Sequence, residues 1–353
     1  MKRPDVAKSV PWIEPPTEEN IARAVARLRA GELIGLPTET VYGLAADASN
    51  AGAVAKIYAA KGRPVDHPLI VHVASADAAK AWAATWPEAA EKLAAAFWPG
   101  PMTLIVKRAS HVLDAITGGQ DTVGLRVPSH PVTQAVMREY AAGAPAASGL
   151  AAPSANQFGQ VSATTAAHVA AEFPDLPLLI LDGGACDVGV ESTIVDVSGA
   201  TVRILRPGRV RANEIEQVLG LTLGRITGEA SDAPRVSGSL ASHYAPRTPT
   251  IMLEERRLRT QLRAFRQAQD RGPTRCVITH SFDVEPSEKL RAVRLAGDAQ
   301  TWEYELYALL RSLDSERYGQ LIIEAPPQGP EWDAVNDRVQ RATQRDTAEN
   351  PAE

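Results

Sequence analysis

The chain has 353 residues, enough for two domains, and its hydrophobic share of 44% supports a substantial core. A formal net charge of -5 argues against a protein built to coat nucleic acid, so any anion site has to be a local cationic pocket. Two cysteines, Cys186 and Cys276, form neither a metal-type spacing nor a disulfide framework, which favours a reducing, cytoplasmic setting. No apolar run has the length of a signal peptide or a membrane span, so we expect no membrane association.

The first predicted domain follows a proline-rich stretch, residues 1–16, which we interpret as an irregular arm. We expect this domain to span 17–221, with a first helix capped by Thr17. Short apolar runs predict buried strands, and the last two of them form an antiparallel hairpin. These runs are 33–36, 69–73, 102–106, 122–127, 178–181, 192–197 and 202–205.

The character of the sequence changes near Gly220. Residues 222–248 are rich in glycine, serine and proline, and a loop of that length is uncommon unless it has a function, so we interpret them as a linker or lid. Strand and helix patterns then alternate over 249–345, which predicts a small α/β domain with a parallel sheet. Residues 346–353 are predicted to be a tail.

A polar turn and a cationic loop flank two of the predicted strands. The turn, Pro37-Thr38-Glu39-Thr40, follows the strand at 33–36, and its three polar side chains can hydrogen-bond a ligand. Lys61 and Arg63 precede the strand at 69–73. If both strands belong to one sheet, the hydroxyl-rich turn lies beside the cations, which favours anion binding.

Further polar residues stand at predicted strand ends, where ligands bind in open α/β sheets. Arg126 lies inside an apparent strand, so it must be paired or face a cavity. Asp182, Asp187 and Glu191 could hold a metal, but we favour a turn there, and we expect no metal site. The candidate set is Thr38, Thr40, Lys61, Arg63, His72, Thr122, Arg126, Ser154, Asn156, Ser162, Ser192 and Arg206.

Seven motifs, taken in order, resemble the YrdC-like family. They are PTETVYGLAADA, KGRPVDHPLIVHV, FWPGPMTLIV, VGLRVP, APSAN, VESTIVDV and ILRPG. The later SHYAP segment and the α/β tail are similar to the long, two-domain threonylcarbamoyl-AMP synthases. The resemblance implies a twisted mixed sheet with a cationic cavity, followed by a smaller Rossmann-like α/β domain.

The resemblance also implies a reaction. L-threonine, bicarbonate or CO2, and ATP with Mg2+ would give threonylcarbamoyl-AMP and pyrophosphate. The product would pass to threonylcarbamoyl-transfer machinery that modifies the adenosine next to the anticodon of certain tRNAs, and tRNA itself is a candidate partner.

The family's functional positions map onto this sequence in two groups. The threonine-side residues are Thr40, His72, Arg126, Ala152 and Ser192. The ATP-side residues are Lys61, Arg63, His67, Thr122, Ser154, Asn156, Ser162, Arg206 and Tyr244. His67 stands where asparagine is expected, and the segment RVSGSL lacks the Pro-Gly typical of this linker. Catalysis is expected to rest on Lys61, Arg63 and Arg126, which would neutralise the approaching anions.

Two other readings differ in class. A carbamoyl-adenylating relative would use carbamoyl phosphate, but it usually carries acylphosphatase or zinc-finger modules, for which this chain has no suitable cysteine set. A non-catalytic RNA-binding module would need a broad basic surface, which the acidic composition disfavours.

Overall fold

The computed structural model describes residues 10–143, 145, 147–223, 233–238, 240, 242–267, 272–295 and 297–344. They divide into two compact units. The first comprises the described residues of 1–158 and 162–239, and the second those of 159–161 and 240–353.

The first unit is built on a mixed sheet with the order β1-β8-β2-β3-β7-β4-β6-β5-β9-β10. The strands are β1 (Trp12–Glu14), β2 (Ile34–Leu36), β3 (Gly43–Asp47), β4 (Ile70–His72), β5 (Met102–Lys107), β6 (Thr122–Arg126), β7 (Leu150–Ala151), β8 (Leu179–Leu181), β9 (Thr193–Asp196) and β10 (Arg203–Arg206). Neighbours β4 and β6 are parallel, whereas β2 and β3, and β5 and β6, are antiparallel.

Helices cover this sheet and are closed by local capping. Thr17 accepts a hydrogen bond from the Asn20 amide at 3.3 Å, as predicted, and Asn50 caps the second helix. Gly62 ends that helix in the left-handed conformation, at φ 61°. The helices are α1 (Glu18–Arg29), α2 (Ala51–Lys61), α3 (Ala76–Lys80), α4 (Glu88–Phe97), α5 (Asp114–Thr117), α6 (Pro131–Ala141), α7 (Ala166–Glu172) and α8 (Ala212–Leu219).

Most of the predicted strands of this unit are confirmed, including the β9–β10 antiparallel pair. The irregular reading of the whole N-terminal arm is wrong at Trp12–Glu14, which pairs in parallel with β8. Prolines flank this short edge strand on both sides, so the sequence pattern does not predict it. Strand β3 was not predicted, because Gly43–Asp47 is rich in alanine, a weak strand former. Its pairing with β2 closes the polar turn into a hairpin connection.

The second unit has a parallel sheet of its own, with the order β11-β14-β12-β13, as the sequence predicted. Leu258, Val277 and Ile322 form the centre of its core. Its strands are β11 (Thr250–Leu253), β12 (Arg275–Thr279), β13 (Leu290–Arg294) and β14 (Gln320–Glu324), and its helices are α9 (Glu255–Gln267), α10 (Ala299–Ser315) and α11 (Asp333–Thr343), with a 3-10 turn at Pro330–Trp332.

The predicted domain limits at 221 and 249 stay predictions. Residues 1–9 of the arm, 224–232, 239 and 241 of the linker, and 346–353 of the tail lie outside the described residues. Within the described ranges, no helix combines the length and apolar character that a membrane crossing requires.

Candidate functional site

Strands β4 and β6 separate the two predicted groups of residues. They run in parallel with His72 opposite Arg126, so both of these threonine-side residues lie at the carboxyl ends. Thr122 begins β6, and a rise of about 3.3 Å per residue places it roughly 13 Å from Arg126 along the strand. Thr122 lines a small pocket with Pro68 and Ser237 at that opposite end. The predicted threonine-side residues therefore lie at one end of the two strands, the predicted threonine end, and the predicted ATP-side Thr122 lies at the other, the predicted ATP end.

Arg126 is buried against a carboxylate. Its Nη2 lies 2.7 Å from Glu39 Oε1, and both side chains are less than a tenth exposed. The two atoms form a close, buried ion pair, and neither has a further hydrogen-bond partner among the described residues. Arg126 Nε donates to the Gly100 carbonyl at 3.3 Å, and the Ser129 amide donates to Glu39 Oε2 at 3.2 Å. The pair is thus fixed from two sides.

His72 is buried beside this pair, and neither ring nitrogen has a hydrogen-bond partner among the described residues. Burial, reinforced by the positive charge of Arg126, holds the pKa of the imidazole well below its usual range. The ring is therefore neutral at pH 7. A neutral imidazole can donate from one nitrogen and accept at the other.

The polar turn contributes Thr40, whose Oγ1 lies 2.9 Å from Thr38 Oγ1. The amides of Val188 and Gly189 donate to the Glu39 and Thr40 carbonyls at 2.8 and 3.1 Å. These two hydrogen bonds fix the backbone from which the Glu39 and Thr40 side chains extend. Ala152 follows β7, and its amide donates to the Ile70 carbonyl at 3.2 Å.

Ser192 connects the two groups. Its Oγ lies 2.8 Å from Thr103 Oγ1, and Arg206 Nη2 donates to it at 3.2 Å. Arg206 also donates to the Ser192 carbonyl from Nε and Nη2, and Nη1 donates to the Ser237 carbonyl at 3.0 Å. A threonine-side serine and an ATP-side arginine are therefore in direct contact.

Lys61 ends α2 as a buried cation. Its Nζ donates to the Ser154 carbonyl at 2.6 Å and to the Asn156 carbonyl. Burial and the neighbouring Arg63 hold the pKa of this ammonium well below its usual range. The turn containing Ser154 and Asn156 thus depends on Lys61 for a donor.

Arg63 is also held by carbonyls and by the later segment around Ser237. Its Nη2 donates to the Pro68 carbonyl at 2.9 Å and to Ser237 Oγ at 3.1 Å. His67 packs its ring edge-on against Phe158, and burial together with Arg63 lowers the pKa of its imidazole. Ser237 therefore touches two predicted ATP-side arginines, Arg63 and Arg206.

The remaining predicted residues are placed less closely together. Ser162 Oγ donates to Glu191 Oε1 at 2.5 Å, so Glu191 is part of a polar contact rather than only a turn residue. Tyr244 belongs to the second unit, where it has φ 60° and packs near Tyr307 and under Arg338. Its predicted role toward ATP stays a prediction.

Glu39, Thr103 and Ser237 were absent from the predicted site. The sequence placed Glu39 in a polar turn but gave no partner for it. A buried arginine within a strand demands an acid, and that requirement was the available signal. Ser237 had no signal, because its contacts join positions 174 and 31 residues apart.

Two family models match the chain. The model described as "Telomere recombination" matches residues 26–208, more than half of the chain, and "Threonylcarbamoyl-AMP synthase, C-terminal domain" matches 210–344.

Named relatives match two thirds or more of the chain. Threonylcarbamoyl-AMP synthase of Bacillus subtilis is 35% identical over 345 residues, which is 95% of this chain and 98% of the relative. The enzyme of that name from Pyrococcus abyssi is 41% identical over 239 residues, 67% of this chain and 68% of the relative. The crystal structure of P. abyssi Sua5 complexed with L-threonine matches with a TM-score of 0.82 and 33% identity, over 95% of this chain and 97% of that one. With these matches the chain belongs to the threonylcarbamoyl-AMP synthase family.

Proposed function

We propose that this chain joins L-threonine, bicarbonate or CO2, and the adenylyl group of ATP to give threonylcarbamoyl-AMP and pyrophosphate. One observation of the structure supports the proposal. Buried His72 presents two ring nitrogens without a hydrogen-bond partner among the described residues, beside the ion-paired Arg126, in a family with a member whose structure contains L-threonine. A buried polar group without a partner calls for an explanation, and a bound ligand supplies one.

The threonine end would bind the amino acid through Thr40, His72, Arg126, Ala152 and Ser192. Arg126 would hold the carboxylate, because a guanidinium can meet both carboxylate oxygens at once. No described contact of Arg126 uses Nη1, so the edge formed by Nη1 and Nη2 faces no other protein acceptor than Glu39.

The ATP end would bind the nucleotide through Lys61, Arg63 and Arg206, with His67, Thr122, Ser154, Asn156, Ser162 and Tyr244. After threonine has become a carbamate, its new carboxylate oxygen would attack the α-phosphorus in line with the departing pyrophosphate. Both reactants are anions, so Lys61 and Arg63 would lower the barrier by neutralising the charge that accumulates at the phosphorus. The remaining catalysis is positioning, with no covalent enzyme intermediate.

Mg2+ would enter as part of the ATP substrate, whose phosphate oxygens are suitable ligands. Among the described residues no group of three or more His, Cys, Asp or Glu could hold a metal ion. The product would serve tRNA modification next to the anticodon, through a transfer machinery in the cytoplasm.

The test is a turnover assay with purified full-length protein, ATP, Mg2+, L-threonine and labelled bicarbonate. Pyrophosphate release and label incorporation are expected only when threonine is present. Release that is independent of threonine would overturn the substrate assignment. Turnover with carbamoyl phosphate in place of threonine and bicarbonate, or salt-dependent tRNA binding without any turnover, would support the two other readings.

A further inference from the structure

We infer that Glu39 is the residue that binds the ammonium group of the amino-acid substrate, so that Arg126 and Glu39 together recognise both charges of an α-amino acid. The inference rests on the proposed function, because it concerns the same substrate. It adds a charged residue that the family resemblance did not supply.

Glu39 has a carboxylate oxygen with capacity for a further donor. Glu39 Oε2 accepts from the Ser129 amide, whereas Oε1 is buried against Arg126 Nη2 at 2.7 Å and has no further hydrogen-bond partner among the described residues. An ionised carboxylate has about four lone-pair sites on its two oxygens, so Oε1 can accept from a ligand while it remains paired with Arg126. An ammonium group supplies the strongest donor available for it.

The second argument is the spacing of opposite charges. Glu39 Oε1 and Arg126 Nη2 are 2.7 Å apart. The ammonium and carboxylate of an α-amino acid are attached to one carbon, so they are also only a few bonds apart. A zwitterion laid along the pair places carboxylate against guanidinium and ammonium against carboxylate, and the four charges alternate.

The groups around the Glu39–Arg126 pair fix its backbone and add no competing charge. The Val188 amide clamps the Glu39 carbonyl at 2.8 Å, so the side chain starts from a fixed backbone. Cys186 lies beside the pair, and burial raises the pKa of its thiol, which therefore adds no third charge. His72 is neutral for the reasons given above. Glu39 is then the sole anion that the described residues place against Arg126.

The experiment compares two ligands that differ at the ammonium group. L-threonine and 2,3-dihydroxybutanoate, in which a hydroxyl replaces the ammonium, are titrated calorimetrically into full-length protein. We expect the wild type to prefer threonine by about tenfold or more, the typical contribution of a buried charge-assisted contact. In Glu39→Gln, threonine affinity is expected to fall by at least that factor and analogue affinity to change far less, so the preference collapses.

A purely positioning role predicts a different result. If Glu39 acts only by holding Arg126, the variant weakens both ligands by the same factor, and this result would overturn the inference. Unchanged threonine affinity would also overturn it. If Glu39→Gln fails to fold, Glu39→Asp keeps the charge and withdraws it by one methylene, and a loss confined to threonine is again expected.

A surface variant and the wild type provide the controls. Glu88→Gln removes an exposed glutamate that pairs with Lys92, and it is expected to leave both affinities unchanged. A wild type that binds neither ligand would refute the proposed function itself. A wild type that prefers threonine, with the preference retained in both Glu39 variants, would refute the ammonium assignment alone.

Discussion

The predicted ATP end and the predicted threonine end of the β4–β6 pair differ in how their buried side chains are held. At the ATP end, Lys61, Arg63 and Arg206 donate to backbone carbonyls and to Ser237. At the predicted threonine end, Arg126 forms a close ion pair with Glu39, and both nitrogens of His72 have no hydrogen-bond partner within the part of the chain that the structure describes. If the two ends bind as proposed, ATP is expected to replace contacts that the protein already makes, whereas threonine is expected to reach the ring nitrogens of His72 that the described residues leave open.

This contrast has an energetic consequence. A cation that donates to backbone carbonyls is stable without ligand. Part of the free energy of ATP binding is therefore used to break those hydrogen bonds. An unsatisfied buried group raises the free energy of the ligand-free protein, and the ligand removes that cost. Threonine binding is therefore expected to stabilise the first unit more than its few contacts alone would suggest.

The largest effect is expected from Arg126→Ala. Removing one partner of a buried ion pair leaves Glu39 uncompensated and is expected to cost about 3 to 5 kcal/mol of stability. Threonine affinity is expected to fall by about a hundredfold or more, because the carboxylate loses its guanidinium. Calorimetric titration of threonine and of ATP separates the two ends, and ATP affinity is expected to change little.

Arg108→Ala is the matched control, since Arg108 pairs with the largely exposed Asp114. Normal threonine affinity in Arg126→Ala would contradict the carboxylate assignment. Arg126→Lys retains the charge and the ion pair, so it folds more readily and tests the bidentate geometry alone.

The next effect concerns Lys61→Met at the ATP end. The variant keeps the apolar stem but leaves the Ser154 and Asn156 carbonyls without their donor, at a cost of about 1 to 3 kcal/mol in stability. The free energy of ATP binding is expected to become less favourable by roughly 2 kcal/mol, the contribution of a charge-assisted hydrogen bond, with threonine affinity unchanged. The measurement is calorimetry with a non-hydrolysable ATP analogue.

Lys56→Met is the control from the same helix, because Lys56 is exposed and donates to the Gly31 carbonyl. Equal loss of ATP affinity in both lysine variants would show that net charge, rather than the position of Lys61, decides nucleotide binding.

A smaller effect is expected from the protonation of His72. Its pKa is lowered in the folded state, mainly by burial and further by Arg126, so the unfolded chain binds the proton more readily. Stability is therefore expected to be highest above about pH 6.5, the unfolded pKa, and to fall by up to about 1.4 kcal/mol per pH unit below it. Denaturant unfolding at several pH values should show a shallower decline for His72→Gln. Parallel pH profiles for the two proteins would contradict the prediction.

The smallest effect is expected from Ser237→Ala. The change removes an acceptor of Arg63 Nη2 but leaves the Pro68 carbonyl in place. The free energy of unfolding is therefore expected to change by about 1 kcal/mol or less. If ATP has to displace this serine, the KM for ATP is expected to fall by a few fold while the KM for threonine stays constant. A raised KM for ATP would instead show that Ser237 assists nucleotide binding.

Local patterns in the sequence were sufficient for much of the first unit. Thr17 capped its helix as predicted, and the apolar runs that became β4, β5 and β6 were predicted because they are buried on both faces. The edge strand at Trp12–Glu14 and strand β3 were not predicted, because their pairing with β8, β2 and β7 outweighs weak local preference.

The sequence by itself determined the family, the two α/β units and the types of residue that stand at strand ends. All three follow from the order of residues within short segments and from the spacing of the motifs. Only the tertiary structure decided which groups meet. The Glu39–Arg126 pair joins positions 87 residues apart, and Ser237 reaches Arg63 across 174. Such contacts depend on strand order and backbone direction, which are set by the packing of the whole sheet and leave no trace in any short stretch of the chain.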